Sequence, residues 1–146
     1  MAKAQSLPRW LGPTVYFFAF WMVIRRFRPA RVKVDLVDRV HEGPMSNLVV
    51  ANGQFFGGGM KVAPKAAPTD GLLDIQIHNP RKREAIAIMP KMYKGEHVPH
   101  PDIHESKRVR VSIEAESPLR VEADGELLGH TPASFELLRD VIRLKV

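Results

Sequence analysis

Residues 52–74 read NGQFFGGGMKVAPKAAPTDGLLD: an aromatic pair, three consecutive glycines and a carboxylate-bearing turn. Gly57, Gly58 and Gly59 lack a Cβ, so the backbone there can take positive φ or lie close against another surface. Phe55 and Phe56 supply apolar area on either side of a pleat. A phosphate loop would need Lys-Ser/Thr after its glycines at the mouth of a helix, and a dinucleotide loop would need G-x-G-x-x-G between strand and helix. Here the glycines run into Met60-Lys61-Val62-Ala63-Pro64 and neither motif is met. The stretch is a strand end, a tight glycine loop and a polar turn, and the loop serves either as a plain connection or as a place of close approach for a ligand or a neighbouring domain.

The flanks of this stretch decide the fold class. Residues 47–51 (NLVVA) form a short continuous apolar strand leading into Asn52-Gly53, a strong hairpin pair, with Phe55-Phe56 as the expected return strand. Further upstream Val32, Val34 and Leu36 alternate with Arg31, Lys33 and Asp35 as in a half-buried strand, followed by a turn at Asp38-Arg39 and a loop at Glu42-Gly43-Pro44. Downstream, residues 72–78 (LLDIQIH) alternate again. Asn79-Pro80 then caps a helix with its apolar stripe at Ala85, Ile88, Met89, Met92 and Tyr93; Pro90 should kink it and Gly95 end it. Strands are expected at 108–115 with Val109, Val111 and Ile113 inward, and at 119–123, 134–137 and 140–146. The pattern predicts a mainly β, sandwich-like domain with an N-terminal apolar helix and one short inserted helix.

The chain has 146 residues, is 45% hydrophobic and contains no cysteine, which suits one domain with a real core and no disulfide framework. Neither repeats nor a Ser/Gly linker divide it, so residues 1–146 are read as a single domain: a helix over 13–27 and a β-rich part over 31–146. Gly12 and Pro13 suit the N-cap and first position of the helix, its stretch to Ile24 is apolar on every side, and the basic run Arg25, Arg26, Arg28 and Arg31 follows, with Pro29 as the stop. Its apolar part is shorter than the ~20 residues a membrane span needs, which argues against a true span and favours a buried or partner-covered helix, ahead of one lying in a membrane interface with its arginines at the headgroups. Twenty-two Lys+Arg against 16 Asp+Glu give a net charge of +6, which favours an anionic partner without choosing one.

Three further groups could carry chemistry. Asp70 lies on a turn and Asp74 on the strand that follows. A turn aspartate ordinarily bonds its own backbone, and the other reading is an oxygen-rich cation site that adds carbonyls such as that of Leu72. Asp124-Gly125-Glu126 follows the strand at 119–123. Asp-Gly is a hairpin turn in its own right, yet two carboxylates on a tight turn can also divide the roles of general base and orienting partner. His97, His100 and His104 invite a zinc hypothesis, which Pro99 and Pro101 disfavour by breaking a common helical face, with no cysteine to assist.

Taken in order, NGQFFGGGMKVAPKAAPTDGLLD, the helix ending KGEHVPHP and the run VEADGELLGHTPASFELL resemble the C-terminal domain of the diacylglycerol kinase catalytic-domain family, bacterial lipid kinases related to sphingosine and ceramide kinases. The likeness spans nearly the whole chain from about Gly12. It implies a two-domain enzyme in which a nucleotide-binding domain, bearing a Gly-Gly-Asp-Gly-Thr motif that this chain lacks, faces a β-rich domain like this one across a cleft. By the same resemblance Glu126 falls at the catalytic base of an Asp-Gly-Glu motif with Asp124 beside it, and Asp70 falls at a structural Mg²⁺ with the carbonyls of Leu72 and Ala67. The implied reaction is transfer of phosphate from ATP to a lipid hydroxyl such as that of diacylglycerol, and the chain alone is expected to be inactive. The implied partners are the lipid, a nucleotide-binding domain in cis or trans and an anionic membrane surface, with no nucleic acid and with a homodimer left open. The setting is cytoplasmic or peripheral to a membrane. Gln54 departs from the pattern, which often has Arg or Lys there, and this weakens any phosphate-binding role. The competing reading is a non-catalytic membrane-surface or protein interaction module derived from a lipid kinase.

Overall fold

The computed structural model describes residues 28–56, 58–139 and 141. The expected helix at 13–27, Gly57 and nearly all of the expected strand at 140–146 lie outside these residues. Within them the chain is mainly β. Nine strands, β1 Ala30–Asp35, β2 Val40–Met45, β3 Asn47–Ala51, β4 Leu73–His78, β5 Ile103–Arg108, β6 Arg110–Ala115, β7 Arg120–Ala123, β8 Glu126–His130 and β9 Ala133–Glu136, accompany one helix, α1 Lys82–Lys94.

The strands form three antiparallel sheets, ordered β2-β1-β6-β9, β3-β4-β5 and β7-β8. Val32, Val34 and Leu36 from β1 and its end pack in one apolar cluster with Ile75 and Ile77 of β4 and Val111 and Ile113 of β6, so the two larger sheets face each other across a shared core. The chain changes sheets abruptly: only Ser46 separates β2 from β3, and only Val109 separates β5 from β6. Ser46 holds its corner by donating both its N–H and its hydroxyl to the carbonyl of His78, each at 2.8 Å. Arg108 fixes the other corner region, donating to Asp38 Oδ1 at 2.9 Å and to the Leu36 carbonyl at 3.0 Å.

The period-two reading of β1 holds, with Val32, Val34 and Leu36 buried. Residues 47–51 form β3 as read. Several expectations are corrected. Glu42-Gly43-Pro44 is part of β2, not a loop; β2 is an edge strand, where a proline costs no ladder bond on its outer side. Phe55-Phe56 does not return along β3. That partner is β4, with Leu48 opposite Ile77, while Phe56 exchanges backbone hydrogen bonds with Met60 at 2.9 and 3.0 Å around the glycines. The expected strand at 108–115 is two strands in different sheets, and Val109, expected inward, is exposed at the corner between them.

The largest correction concerns β4, whose alternation predicts one wet face. All six of its residues are buried, including Asp74, Gln76 and His78. The second face is covered because residues 52–67 fold back over the sheet: Val62, Ala63 and Ala66 form a second apolar cluster with Val49 and Ala51 of β3 and Met92 of α1. Leu48 and Val50 meanwhile serve the main core, so β3 feeds a core on each face.

The helix begins two residues later than Asn79-Pro80 implies. Arg81 is the N-cap, and its N–H donates to Glu84 Oε2 at 2.9 Å. Gly95 ends it as expected, at φ 74°, with Glu96 N–H reaching back to the Lys91 carbonyl at 3.0 Å. Of its apolar stripe Ile88 is buried and Met92 packs inward, while Met89 and Tyr93 are exposed.

Candidate functional site

Asp70 sits in a tight turn entering β4. Its N–H donates to the Ala67 carbonyl at 3.1 Å, and its Oδ1 accepts the Leu72 N–H at 2.9 Å, so both readings of the turn start from the same self-bonded aspartate. Gly71 adopts φ 71° between them, a conformation that an L side chain resists. Asp70 Oδ2 then accepts from Lys107 Nζ at 2.8 Å.

Lys107 reaches this turn because β5 pairs with β4 in a register that puts it directly opposite Asp74. Its ammonium also donates to the Lys65 carbonyl at 2.9 Å and stands 3.2 Å from Asp74 Oδ2. Asp74 is only 6% exposed, and its Oδ2 has this charge contact without a well-directed hydrogen bond. Arg139, just beyond β9, donates to the Gly71 carbonyl at 3.2 Å and adds positive charge near Asp70. The hydrogen bonds from Lys107 and from the Leu72 N–H hold the Asp70 carboxyl below its ordinary pKa. Burial pushes Asp74 the other way despite the nearby ammonium, so two carboxylates on one lysine are driven apart. Lys107 is raised, chiefly by its bond to Asp70.

This donor set suits a hard divalent cation in kind: a carboxylate at Asp70, carbonyl oxygens at Ala67 and Leu72, and a buried Asp74 oxygen short of a donor. Among the described residues no three His, Cys, Asp or Glu side chains gather as a metal site, so an ion here would lean on backbone oxygens and water. In the arrangement seen, Lys107 supplies the positive charge at Asp70. Gln54 is engaged structurally, its amide donating to the Ala66 carbonyl at 3.1 Å.

Asp124 and Gly125 form the two-residue turn of the β7-β8 hairpin, both in the left-handed region at φ 50° and 86°, with Ala123 paired to Glu126. Both carboxylates point from an exposed turn, and among the described residues neither has a side-chain hydrogen bond or ion pair. The structure thus gathers Asp70, Asp74 and Lys107, and leaves Asp124 and Glu126 on a separate hairpin with no bond between the two groups. Sequence reasoning missed Lys107 and Arg139. Residues 103–108 (IHESKR) carry no apolar alternation, so neither β5 nor its register could be read locally.

The histidines go to different places. His97 is buried with Nε2 bonded to the Val62 carbonyl at 3.0 Å, His100 Nδ1 accepts the Asp102 N–H, and the His104 ring lies tilted against that of His41 at 5.4 Å between centroids. His78, missed as a titrating group, is buried at the end of β4 with its ring 6.3 Å from that of His97, and is pushed down to about 4 by burial, with His97 and His100 adding to the effect. A shallow depression of about 350 Å³ over β1, β2 and β6 contains none of the candidate residues.

The whole chain, residues 1–146, matches the model of the YegS C-terminal NAD kinase beta sandwich-like domain. The chain belongs to that family. It is 25% identical over 132 residues to a diacylglycerol kinase of Bacillus subtilis (strain 168), covering 90% of this chain and 44% of the relative. It is 27% identical over 146 residues to a probable lipid kinase YegS-like protein of Alcanivorax borkumensis, covering 97% and 48%. A solved structure from Bacillus anthracis str. Sterne, provisionally described as a diacylglycerol kinase, superimposes with a TM-score of 0.66 at 29% identity, over 80% of this chain and 40% of that one. The chain is therefore similar to the C-terminal domain of YegS- and diacylglycerol-kinase-like lipid kinases, and spans about half the length of the curated relatives it matches.

Among the described residues no helix is long and apolar enough to cross a membrane.

Proposed function

We propose that this chain is the lipid-cleft and catalytic-base half of an ATP-dependent lipid kinase, completed by a nucleotide-binding domain in the same chain or another. The observation that carries the reading is Glu126: an exposed carboxylate with no partner among the described residues, held next to the two-residue turn of a hairpin at the position where the family resemblance implies a base. A free carboxylate on a fixed turn is suited to accept the proton of a lipid hydroxyl as that oxygen attacks the terminal phosphoryl group of ATP. The O–H bond breaks, a P–O bond to the lipid forms, and ADP leaves with the electrons of the broken P–O bond. Asp124, in the turn just before it, adds negative charge beside the base. Asp70, with the carbonyls of Leu72 and Ala67, would hold a magnesium ion whose chemistry is to neutralise and order negative charge near the cleft. Lys107 and Arg139 keep Asp70 ionised and the turn fixed. Phosphoryl transfer of this kind is mostly positioning and charge neutralisation, and this half contributes the positioned base.

The test is a fusion of this chain behind the nucleotide-binding half of the Bacillus subtilis relative, assayed for transfer of labelled phosphate from ATP to diacylglycerol. Transfer is expected from the fusion and not from the chain alone. Equal transfer by the chain alone, or a fusion whose activity is untouched by Glu126→Gln, would overturn the proposal.

A further inference from the structure

Phe55 and Phe56 are adjacent, 67% and 57% exposed, and take no part in either apolar cluster. Two aromatic rings left in water are unfavourable unless something covers them. Phe56 and Met60 close a tight hairpin beside them, and among the described residues, adjoining ones aside, no atom lies within 4 Å of where a Cβ would stand on Gly58 or Gly59. The glycines at 58 and 59 thus serve the turn by their positive φ, of 66° and 88°, and not by close approach to another described segment.

The base of the tip is basic. Lys61 Nζ lies 6.0 Å from the Phe55 ring centroid. The Lys61 N–H donates to the Met92 carbonyl at 2.9 Å, and its side chain lies against Gly95, which pins the tip beside the last turn of α1. That turn carries Lys91 and Lys94, both exposed, and the exposed ring of Tyr93. Exposed aromatic rings on a hairpin with ammonium groups beside them suit a bilayer interface, where rings enter the acyl boundary and cations meet phosphates.

We infer that the Phe55–Phe56 tip seats this domain on an anionic phospholipid surface. Area separates this from a protein contact. Two Phe side chains at these exposures offer on the order of 200–300 Å², well short of the roughly 800 Å² per partner that a stable protein interface uses. Insertion of a tip needs no such flat patch. The inference deepens the lipid-kinase reading and rests on it for choosing a lipid surface; it is read without nucleotide or turnover, so its failure is distinct from the failure of catalysis.

The full chain lacks cysteine, so a single Phe55→Cys variant can carry an environment-sensitive fluorophore at the tip alone. Its emission is expected to shift to the blue on vesicles of phosphatidylcholine containing about one-third phosphatidylglycerol, a readout that binding through residues 1–27 would not produce. In co-sedimentation, Phe55→Ser with Phe56→Ser should lower partitioning by about tenfold or more, since each ring is worth that order on burial. Lys61→Gln should weaken binding to the anionic vesicles only, and Leu127→Ser with Leu128→Ser, exposed on β8, should change nothing. An unshifted label on vesicles, or unchanged partitioning of the double Phe variant, overturns the inference. A label that responds to the nucleotide-binding half of a relative and not to vesicles overturns it in favour of a protein contact.

Discussion

Acid should unfold this domain through His78, and the effect can be isolated. His78 is 6% exposed, its Nε2 lies 2.9 Å from Gln76 Oε1, and its charged form would be desolvated beside His97. The folded state holds it at about 4 against an ordinary value of 6.5. Between those values the unfolded chain binds the extra proton, so stability is full above pH 6.5 and falls as the pH drops toward 4. At pH 5 the loss works out to about 2 kcal/mol, rising to about 3 kcal/mol below both values. Burial also lowers His97, which acts in the same direction, so the whole domain loses more than His78 alone accounts for. Urea unfolding of the wild type and of His78→Gln at pH 7.5 and pH 5 separates the two, because the glutamine keeps a polar side chain for Gln76 but cannot titrate. The drop between the two conditions should be smaller in the variant by about 2 kcal/mol. Equal drops, within about 0.5 kcal/mol, would refute the assignment of buried, neutral His78.

Glu126→Gln in the fused kinase should lower turnover by ~10²–10⁴-fold with an unchanged melting temperature, since the carboxylate is exposed and holds nothing together; a matching loss of stability would point to a structural role. Lys107→Met should raise the Asp70 carboxyl pKa toward its ordinary value and raise Asp74 further, because the same ammonium opposes both; carboxyl titration by NMR reads the two shifts, and an unmoved Asp70 would contradict them. Gly71→Ala should cost about 1–2 kcal/mol from backbone strain alone, plus whatever displacing Arg139 adds, because a Cβ would stand 2.6 Å from Arg139 Nε; Gly125→Ala, with open space around it, should show only the backbone part in a thermal melt. Ile75→Ala, at 0% exposure in the middle of β4, should cost about 2–5 kcal/mol, and a loss below about 1 kcal/mol would mean that the central strand repacks freely.

How much was legible differs by element. Val32, Val34 and Leu36 are written at a period of two and pack as one face of β1; Asp124-Gly125 is written as a hairpin and adopts one; Gly95 is written as a helix stop and takes the left-handed conformation. These depend on steric rules within a few residues, which composition and spacing carry. The likeness of the three quoted runs to lipid kinases was legible too, and the match over residues 1–146 agrees with it. The candidate site divides along the same line. Asp70 was visible as a turn carboxylate, and Glu126 as one end of a tight hairpin.

What the tertiary structure decided is which distant segments meet. Alternation in 72–78 promised a wet face, and only the return of residues 52–67 across the sheet made Asp74, Gln76 and His78 buried groups with altered acidity. Asn52-Gly53 favoured a local hairpin, yet β3 gained more by pairing with β4, where Leu48 and Val50 reach the main core. Lys107 became the cation of the Asp70 turn because β5 pairs with β4 in one register; a shift of a single residue would turn it to the other face. Turns and periods are fixed by neighbours in the chain, and the sequence by itself determines them. Burial, ion pairs and proton affinity follow from contacts between residues tens of positions apart, and those exist only once the sheets have chosen their partners.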